Sequence, residues 1–443
     1  MAPSPTGKLH IGMAHTALFN FLFTKHNGGD FILRIDDSDP VRSKKEFEND
    51  IVETLKWLGI YWDEGPDIGG PFAPYRQSER KNSYQKYVNQ LLANKKAYRC
   101  YCTREELDEK RKVAESAGKV YIYDQKCKSL VNQPLNKPFV VRLINPNKVV
   151  TFDDMVRGHI EVDSTSAGDF ILTRPDGSAL LNFAVVIDDI EYQITHAIRG
   201  EDFLNATPYQ ILIYEALGVK PPQIANLSFI YAPDHTKLSK RHGATGMSEY
   251  RELGYLSEAV VNLLAFLGWN PGDDREIFSL EELIKEFDFD RVLKGAPTFN
   301  KVKLDWYNQQ YIKKLSDTEL VDRLKLFTAC QQEKILELLP LVRDRMVTLK
   351  DFDKLTEYFF EKPTTGGQNP QILSHAQGVL EKNFDGVVLE TEARKWCAEN
   401  NVKVGDYFMA LRLAVTGLSA TPPLWDVMKI LGHDETLARL KKT

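Results

Sequence analysis

The stretch Met1-Ala2-Pro3-Ser4-Pro5-Thr6-Gly7-Lys8-Leu9-His10-Ile11-Gly12-Met13 decides the fold, because it reads as a phosphate-facing loop feeding the first turn of a helix. Pro3 and Pro5 stiffen the approach, Gly7 permits a tight turn, and the apolar residues of 14–23 recur at helical rather than alternating spacing. A helix start of this kind aims free N–H groups and the positive end of its dipole at the loop, with His10 and Gly12 at the mouth. Its natural ligand is an anion, a nucleotide phosphate first among them. Taken alone, a proline-flanked loop before a helix is as readily plain turn chemistry.

Working outward, residues 31–35 read as a short buried strand, after which Ser43 opens a helix with a capping box to Glu46. Phe47, Ile51, Leu55 and Leu58 share one face of that helix, and Gly59 ends it. Strand, loop and helix make a βα unit of an open parallel sheet, whose ligand sits beyond the strand ends. Asp36, Asp37 and Asp39 lie at such an end, as turn carboxylates or as ligand contacts. From about 75 to 181 the pattern changes to polar helices and then short strands at 139–143, 160–162 and 170–172, an α+β insertion. Strands are expected again at 182–187 and 194–198, followed by Arg199 and a helix over 204–217. The apolar run 227–231 then leads to Lys237-Leu238-Ser239-Lys240-Arg241, either a solvated basic loop or a partner to the phosphate loop.

At 443 residues and 43% hydrophobic, the chain has room for two to four domains. No apolar run nears the roughly 20 residues that span a bilayer, and no membrane association is expected. A net charge of −5, from 57 basic and 62 acidic residues, argues against a protein that coats nucleic acid through a global positive field. Five cysteines, an odd number, do not form a secreted disulfide framework, so a reducing cytoplasm is expected.

Three of those cysteines crowd together. Cys100 and Cys102 precede a helix capped by Thr103 with Glu106, and Cys127 follows it, a set suited to a tetrahedral soft site with Tyr123 as fourth ligand, or else spare thiols. Further on, residues 247–267 read as mainly helical. Ser279 with Glu282 and Ser316 with Glu319 are capping boxes, and from 304 onward the pattern is helical throughout, with residues 362–370 as a linker between two helical units.

His10-Ile11-Gly12 and Lys237-Leu238-Ser239-Lys240-Arg241 together resemble the paired signatures of class I aminoacyl-tRNA synthetases. With Ala2-Pro3-Ser4-Pro5-Thr6-Gly7, Arg34-Ile35-Asp36-Asp37-Ser38-Asp39 and Ile198-Arg199-Gly200-Glu201-Asp202, the resemblance is to the bacterial-type glutamyl-tRNA synthetases and covers nearly the whole chain. It implies a Rossmann-type parallel-sheet catalytic domain over 1–75 and 182–232 and an inserted acceptor-binding domain over 76–181. It further implies a stem-contact region over 233–308 and an all-α anticodon-binding region in two units, 309–363 and 364–443.

The implied reaction is attack of glutamate's α-carboxylate on the α-phosphate of ATP, then attack of a terminal tRNA hydroxyl on the glutamyl-adenylate. Positioning and charge stabilisation suffice for both steps. By the resemblance, His10, Gly12, Lys237 and Lys240 carry catalysis, and ATP touches Ser4, Gly12, Asp202, Ile230, Lys237, Ser239, Lys240 and Arg241. Glutamate is met by Ala2, Ser4, Asp36, Leu181, Val185 and Arg199; Asp36 replaces the family's usual glutamate and Leu181 its usual tyrosine. Arg412, Thr421, Pro422 and Leu424 match the anticodon-contacting region, where a helix-surface arginine and an ordinary turn would look the same. Mg²⁺ accompanies ATP, and some relatives hold a structural Zn²⁺ at Cys100, Cys102, Tyr123 and Cys127. Expected partners are tRNA(Glu) and L-glutamate, with the protein a cytoplasmic monomer. Two other readings are a catalytically impaired RNA-binding paralogue and a tRNA-modifying glutamyl transferase. The family also places a strand and an arginine before Ala2, so the chain is expected to lack its true beginning and to be impaired by that.

Overall fold

The computed structural model describes residues 1–130, 134, 136–236, 238, 246–363 and 369–441. They fall into two compact units, the first Met1–Tyr250 with Val260–Lys301 and the second Arg251–Ala259 with Val302–Thr443.

In the first unit α1 (Ile11–His26) follows the opening loop as its spacing predicts, burying Ala14, Leu18, Phe19 and Leu22. Residues 31–35 are extended but form no regular ladder. Ile32 and Ile35 make isolated parallel bridges to Glu64 and Arg76, while the N–H groups of Arg34 and Asp36 donate to the carbonyls of Met1 and Pro3 at 3.0 and 2.9 Å. Helix α2 (Lys45–Trp57) starts later than the Ser43–Glu46 box predicts, with Lys44 at the N-cap and no side-chain cap. The reason is local: the Ser43 N–H is taken by the Asp39 carbonyl at 2.9 Å, and Glu46 pairs with Lys44 at 3.5 Å. Gly59, at φ +75°, ends the helix as expected.

Next come α3 (Lys81–Ala93), β1 (Ala97–Cys100), α4 (Arg104–Ser116), β2 (Val140–Leu143), β3 (Val149–Asp154), β4 (Gly158–Asp163) and β5 (Ile171–Thr173). The three strands predicted in this segment are present as β2, β4 and β5. Strands β1, β2 and β5 form an antiparallel sheet in the order β1-β2-β5.

Residues 182–187 are not a strand. They lie in α5 (Leu181–Glu191), with Phe183, Ala184, Val185, Val186 and Ile187 all buried. A continuous apolar run does not reveal its period, and here the buried Asp188 and Asp189 carry the run past strand length. After α5 come β6 (His196–Gly200), α6 (Thr207–Leu217), which has Pro208 in its first turn, and β7 (Gln223–Leu227). The apolar run 227–231 thus touches the sheet only at its first residue.

Strands β6 and β7 are parallel, β7 is parallel to β3, and β3 is antiparallel to β4, giving a mixed sheet in the order β4-β3-β7-β6. The 76–181 segment therefore shares both a sheet and a core with the residues around it. Leu91, Leu143, Phe152, Phe183, Ile213 and Ile224 belong to one buried cluster.

The helical stretch 247–267 is broken into α7 (Met247–Glu252) and α8 (Ser257–Phe266), with Gly254 at φ +83° between them. Helix α9 (Leu280–Glu286) opens on the predicted Ser279–Glu282 box, with both reciprocal bonds formed.

The second unit has no strand among its described residues. Its helices are α10 (Lys301–Lys314), α11 (Asp317–Leu324), α12 (Gln332–Val342), α13 (Asp351–Phe360), α14 (Pro370–Lys382), α15 (Gly386–Asn400), α16 (Val404–Thr416), α17 (Leu424–Leu431) and α18 (His433–Leu440). The Ser316–Glu319 box opens α11 as predicted. Residues 364–368 of the expected linker lie outside the described residues. Tyr358 of α13, Leu373 and Leu380 of α14, Tyr407 and Leu411 of α16 and Val427 of α17 share one core. No described helix of either unit is long and apolar enough to cross a membrane.

Candidate active site

The opening loop, the end of β6, α5 and the segment after β7 enclose a cavity of about 1220 Å³. Ala2, Ser4, His10, Gly12, Asp36, Leu181, Val185, Arg199, Asp202 and Ile230 all line it. Every described residue expected to touch ATP or glutamate is therefore in one place. Lys237, Ser239, Lys240 and Arg241 lie outside the described residues. Their flanks do not: Thr236 donates to Asp234 on one side, and on the other Gly246 bridges His10 while the Met247 N–H donates to the Leu9 carbonyl at 2.8 Å.

His10 is the N-cap of α1. Its Nδ1 accepts from the Met13 N–H at 3.2 Å, which in the neutral ring leaves the proton on Nε2, free to donate. Desolvation by the surrounding walls pushes its pKa below the usual histidine value, partly offset by the Asp202 charge. The first turn of α1 holds no acidic residue, so nothing in it opposes an incoming anion. A Cβ on Gly12 would meet the His10 ring at 3.4 Å, so a bare residue keeps the mouth open. At Gly200 a Cβ would fall 2.6 Å from Asp202 Oδ1, so only glycine lets that carboxylate lie where it does.

At the other end, Asp36 is buried and accepts from Ser4 and Ser38 hydroxyls at 3.1 and 3.0 Å. Arg199 reaches Asp189 Oδ2 at 2.5 Å and donates to Gln210. Leu181 offers an exposed apolar edge at the start of α5, and Val185, one turn on, is buried.

Sequence reasoning missed Asp189, Arg34 and Tyr214. The Tyr214 hydroxyl donates to Asp189 at 3.0 Å, and Arg34 makes an ion pair with Asp189 at 2.5 Å. A visible signal existed: two adjacent carboxylates inside an otherwise apolar run must be paired if buried. Burial raises the Asp189 pKa, but the Arg34 and Arg199 charges outweigh it and hold the carboxyl below its usual range.

Away from the cavity, Cys100, Cys102 and Cys127 place their sulfurs within 4.8 Å of one another. Cys102 and Cys127 are 3.6 Å apart, and the Tyr123 hydroxyl lies 3.2 Å from Cys100 Sγ and 3.4 Å from Cys102 Sγ. Zinc–sulfur bonds of about 2.3 Å in a tetrahedron set the sulfurs about 3.8 Å apart, so the donor set fits that ion. The Tyr101 N–H points at Cys127 Sγ at 3.4 Å, a donor that supports a thiolate there.

In the second unit Arg412 Nη1 donates to the Thr421 carbonyl at 3.3 Å, which brings the two expected anticodon elements together. Thr421, Pro422 and Leu424 are themselves buried, and Pro423 is the exposed residue of the turn.

Residues 1–306 match the model of the class I tRNA synthetase catalytic domain for glutamate and glutamine (E and Q), and residues 310–443 match the anticodon binding domain. Glutamate--tRNA ligase 2 of Caldicellulosiruptor saccharolyticus is 40% identical over 100% of this chain and 97% of its own length. The glutamate--tRNA ligase of Symbiobacterium thermophilum is 40% identical over 99% and 98%. The crystal structure of a glutamate tRNA ligase from Elizabethkingia meningosepticum superposes with a TM-score of 0.90 at 34% identity, covering 100% of this chain and 97% of that one.

Proposed function

The chain belongs to the class I tRNA synthetases of the glutamate and glutamine branch, and from that premise we propose that it attaches glutamate to tRNA(Glu) through a glutamyl-adenylate. The observation that carries this reading is the convergence of the described ATP-facing and glutamate-facing residues on one cavity.

In this reading the α-carboxylate of glutamate, already ionised at neutral pH, is held against the α-phosphate, and no strong base is required. His10 Nε2–H and the free N–H groups of α1 stabilise charge on the phosphates. Lys237 and Lys240, with Ser239 and Arg241, are assigned to the β and γ phosphates, and Asp202 and the Ile230 backbone to the nucleoside. Asp36 with Ser4 takes the substrate ammonium, and Arg199 takes its side-chain carboxylate. Mg²⁺ is left to phosphate oxygens and water, since Asp36 and Asp189 are engaged by hydroxyls and guanidinium groups.

The domain roles follow the segments expected from sequence, with 1–75 and 182–232 catalytic, 76–181 and 233–308 facing the acceptor and stem, and 309–443 facing the anticodon. Cys100, Cys102, Tyr123 and Cys127 hold a structural zinc, whose contribution is to tie β1 to the segment after α4. An RNA-modifying transferase without an anticodon module is not supported, because residues 310–443 match that module. A silent paralogue is disfavoured by full-length similarity to proteins named as ligases.

Exchange of labelled pyrophosphate into ATP tests the reading. It should require glutamate, and silence with glutamate both in the presence and in the absence of tRNA(Glu), from folded protein, would refute it.

A further inference from the structure

We propose that Arg34 is a second carboxylate-reading residue of the pocket, donating from Nη1 to the side-chain carboxylate of glutamate beside Arg199. The proposal rests on the assignment of this cavity to glutamate and deepens it. Arg34 is 6% exposed and lines the cavity. Its Nη2 lies 2.5 Å from Asp189 Oδ1, a charge contact off the hydrogen-bonding angle, while its Nη1 is buried without a hydrogen-bond partner among the described residues. A buried charged donor left unmatched is costly and rare, and in a binding pocket its natural acceptor is the ligand.

The hydrogen bonds around Asp189 point the same way. Asp189 is shared by two guanidinium groups, Arg34 and Arg199, and its Oδ2 already accepts from Arg199 and Tyr214. The neighbouring carboxylate, Asp188, adds its charge to the field at Arg34, but its oxygens accept elsewhere. Asp188 is taken by Arg80 at 2.7 Å, Gln77 at 2.9 Å and Tyr84 at 3.0 Å, and Arg80 is in turn shared with Glu191. Arg34, Arg80 and Arg199 against Asp188, Asp189 and Glu191 leave this network without net charge, yet Asp189 leaves Arg34 Nη1 without an acceptor. The complement of that open donor, beside Arg199, is a group whose oxygens only accept.

Glutamate's side-chain carboxylate has two oxygens for this purpose. The amide of glutamine has one oxygen and turns an NH₂ toward donors that it cannot satisfy. Arg34 therefore sets the preference for the acid over the amide, with Asp189 fixing the angle between the two arginines. Leu181 and Val185 on the facing helix supply apolar contact without competing for the charge.

The test measures binding of two non-reactive adenylate analogues, glutamyl- and glutaminyl-sulfamoyl-adenosine, by titration calorimetry with the wild type, Arg34→Met and Arg34→Lys. The wild type should prefer the glutamyl analogue. In Arg34→Met that affinity should fall by roughly ten- to a hundredfold, the worth of one charge-assisted bond, and the glutaminyl affinity by much less. Arg34→Lys keeps the charge beside Asp189 but cannot span both acceptors, so its preference should also fall. An acid-to-amide ratio within about twofold of wild type in the variants that fold would overturn the proposal, as would collapse of both variants, which would mark Arg34 as framework only. A wild type that ignores the glutamyl analogue would instead remove the glutamate assignment itself.

Discussion

His10 and Gly246 are paired by an antiparallel bridge, with the Met247 N–H donating to the Leu9 carbonyl beside it. The residue that caps the first helix is thereby stitched to the chain just after the Lys237 signature, more than two hundred residues downstream. The described chain thus resumes, after that signature, at the mouth of the first helix.

Lys240→Ala should lower the rate of glutamate activation by roughly several tens-fold and leave tRNA affinity nearly unchanged, because its charge acts on the developing phosphate transition state. Single-turnover adenylate formation and filter binding of tRNA check the two halves. Loss of tRNA binding in equal measure would assign the loop to RNA contact instead.

His15, one turn beyond Gly12, makes the stability of the first unit depend on pH. It is 4% exposed, its Nε2 lies 2.6 Å from the Leu267 carbonyl, and burial pushes its pKa down to about 4. The unfolded chain, with an ordinary histidine near 6.5, takes up the proton first as pH falls, so the stability is complete above about 6.5 and is lost progressively toward 4. At pH 5 the loss from this group is about 2 kcal/mol. Urea unfolding at pH 7.5 and pH 5 should show that difference in the wild type and lack it in His15→Gln, which keeps a donor for Leu267. Identical pH dependence in both proteins would show that His15 does not titrate as argued.

Purified protein should carry about one zinc per chain, since the three thiols lie within 4.8 Å of one another and the Tyr123 phenol lies 3.2 and 3.4 Å from two of them. Cys127→Ser should lose the metal and Tyr123→Phe should weaken it, both measured by elemental analysis and competition with a chelator. A metal-free preparation with full activity would end the zinc assignment.

The parts of the fold that sequence made legible are those with a local physical cause. The α1 start follows from proline, glycine and helical spacing, and the boxes at Ser279 and Ser316 from a serine and a glutamate three apart. Where local rules compete, the sequence misleads. Ser43 and Glu46 satisfy the box pattern, yet Asp39 and Lys44 claim their atoms first. Residues 182–187 have strand composition, but burial on every side of α5 removes the periodicity that would have identified a helix. In the site, the residues at the cavity wall were reachable through motifs. The Arg34–Asp189 pair was not, because it joins two distant segments and only packing brings them together.

The second unit should depend on Arg439, whose buried guanidinium donates to the Tyr358 and Val415 carbonyls at 2.6 and 2.7 Å and pairs with Glu435 at 2.8 Å. Arg439→Met removes the donors and leaves two buried carbonyls unmatched, a cost of about 3 kcal/mol. Thermal unfolding should show a lowered transition for the helical unit, with glutamate activation at the cavity unchanged. A transition unmoved within error would mean that α18 is not anchored by this contact.

The most direct measurement of the central claim is transfer of radiolabelled glutamate to a tRNA(Glu) transcript by the purified chain with ATP and Mg²⁺. Acid-precipitable glutamyl-tRNA should form with the wild type and should fall by about a hundredfold or more when Arg199, the proposed carboxylate contact, is changed to methionine. A folded wild-type protein that binds tRNA(Glu) yet forms no glutamyl-tRNA, or an Arg199→Met variant as active as the wild type, would contradict the account.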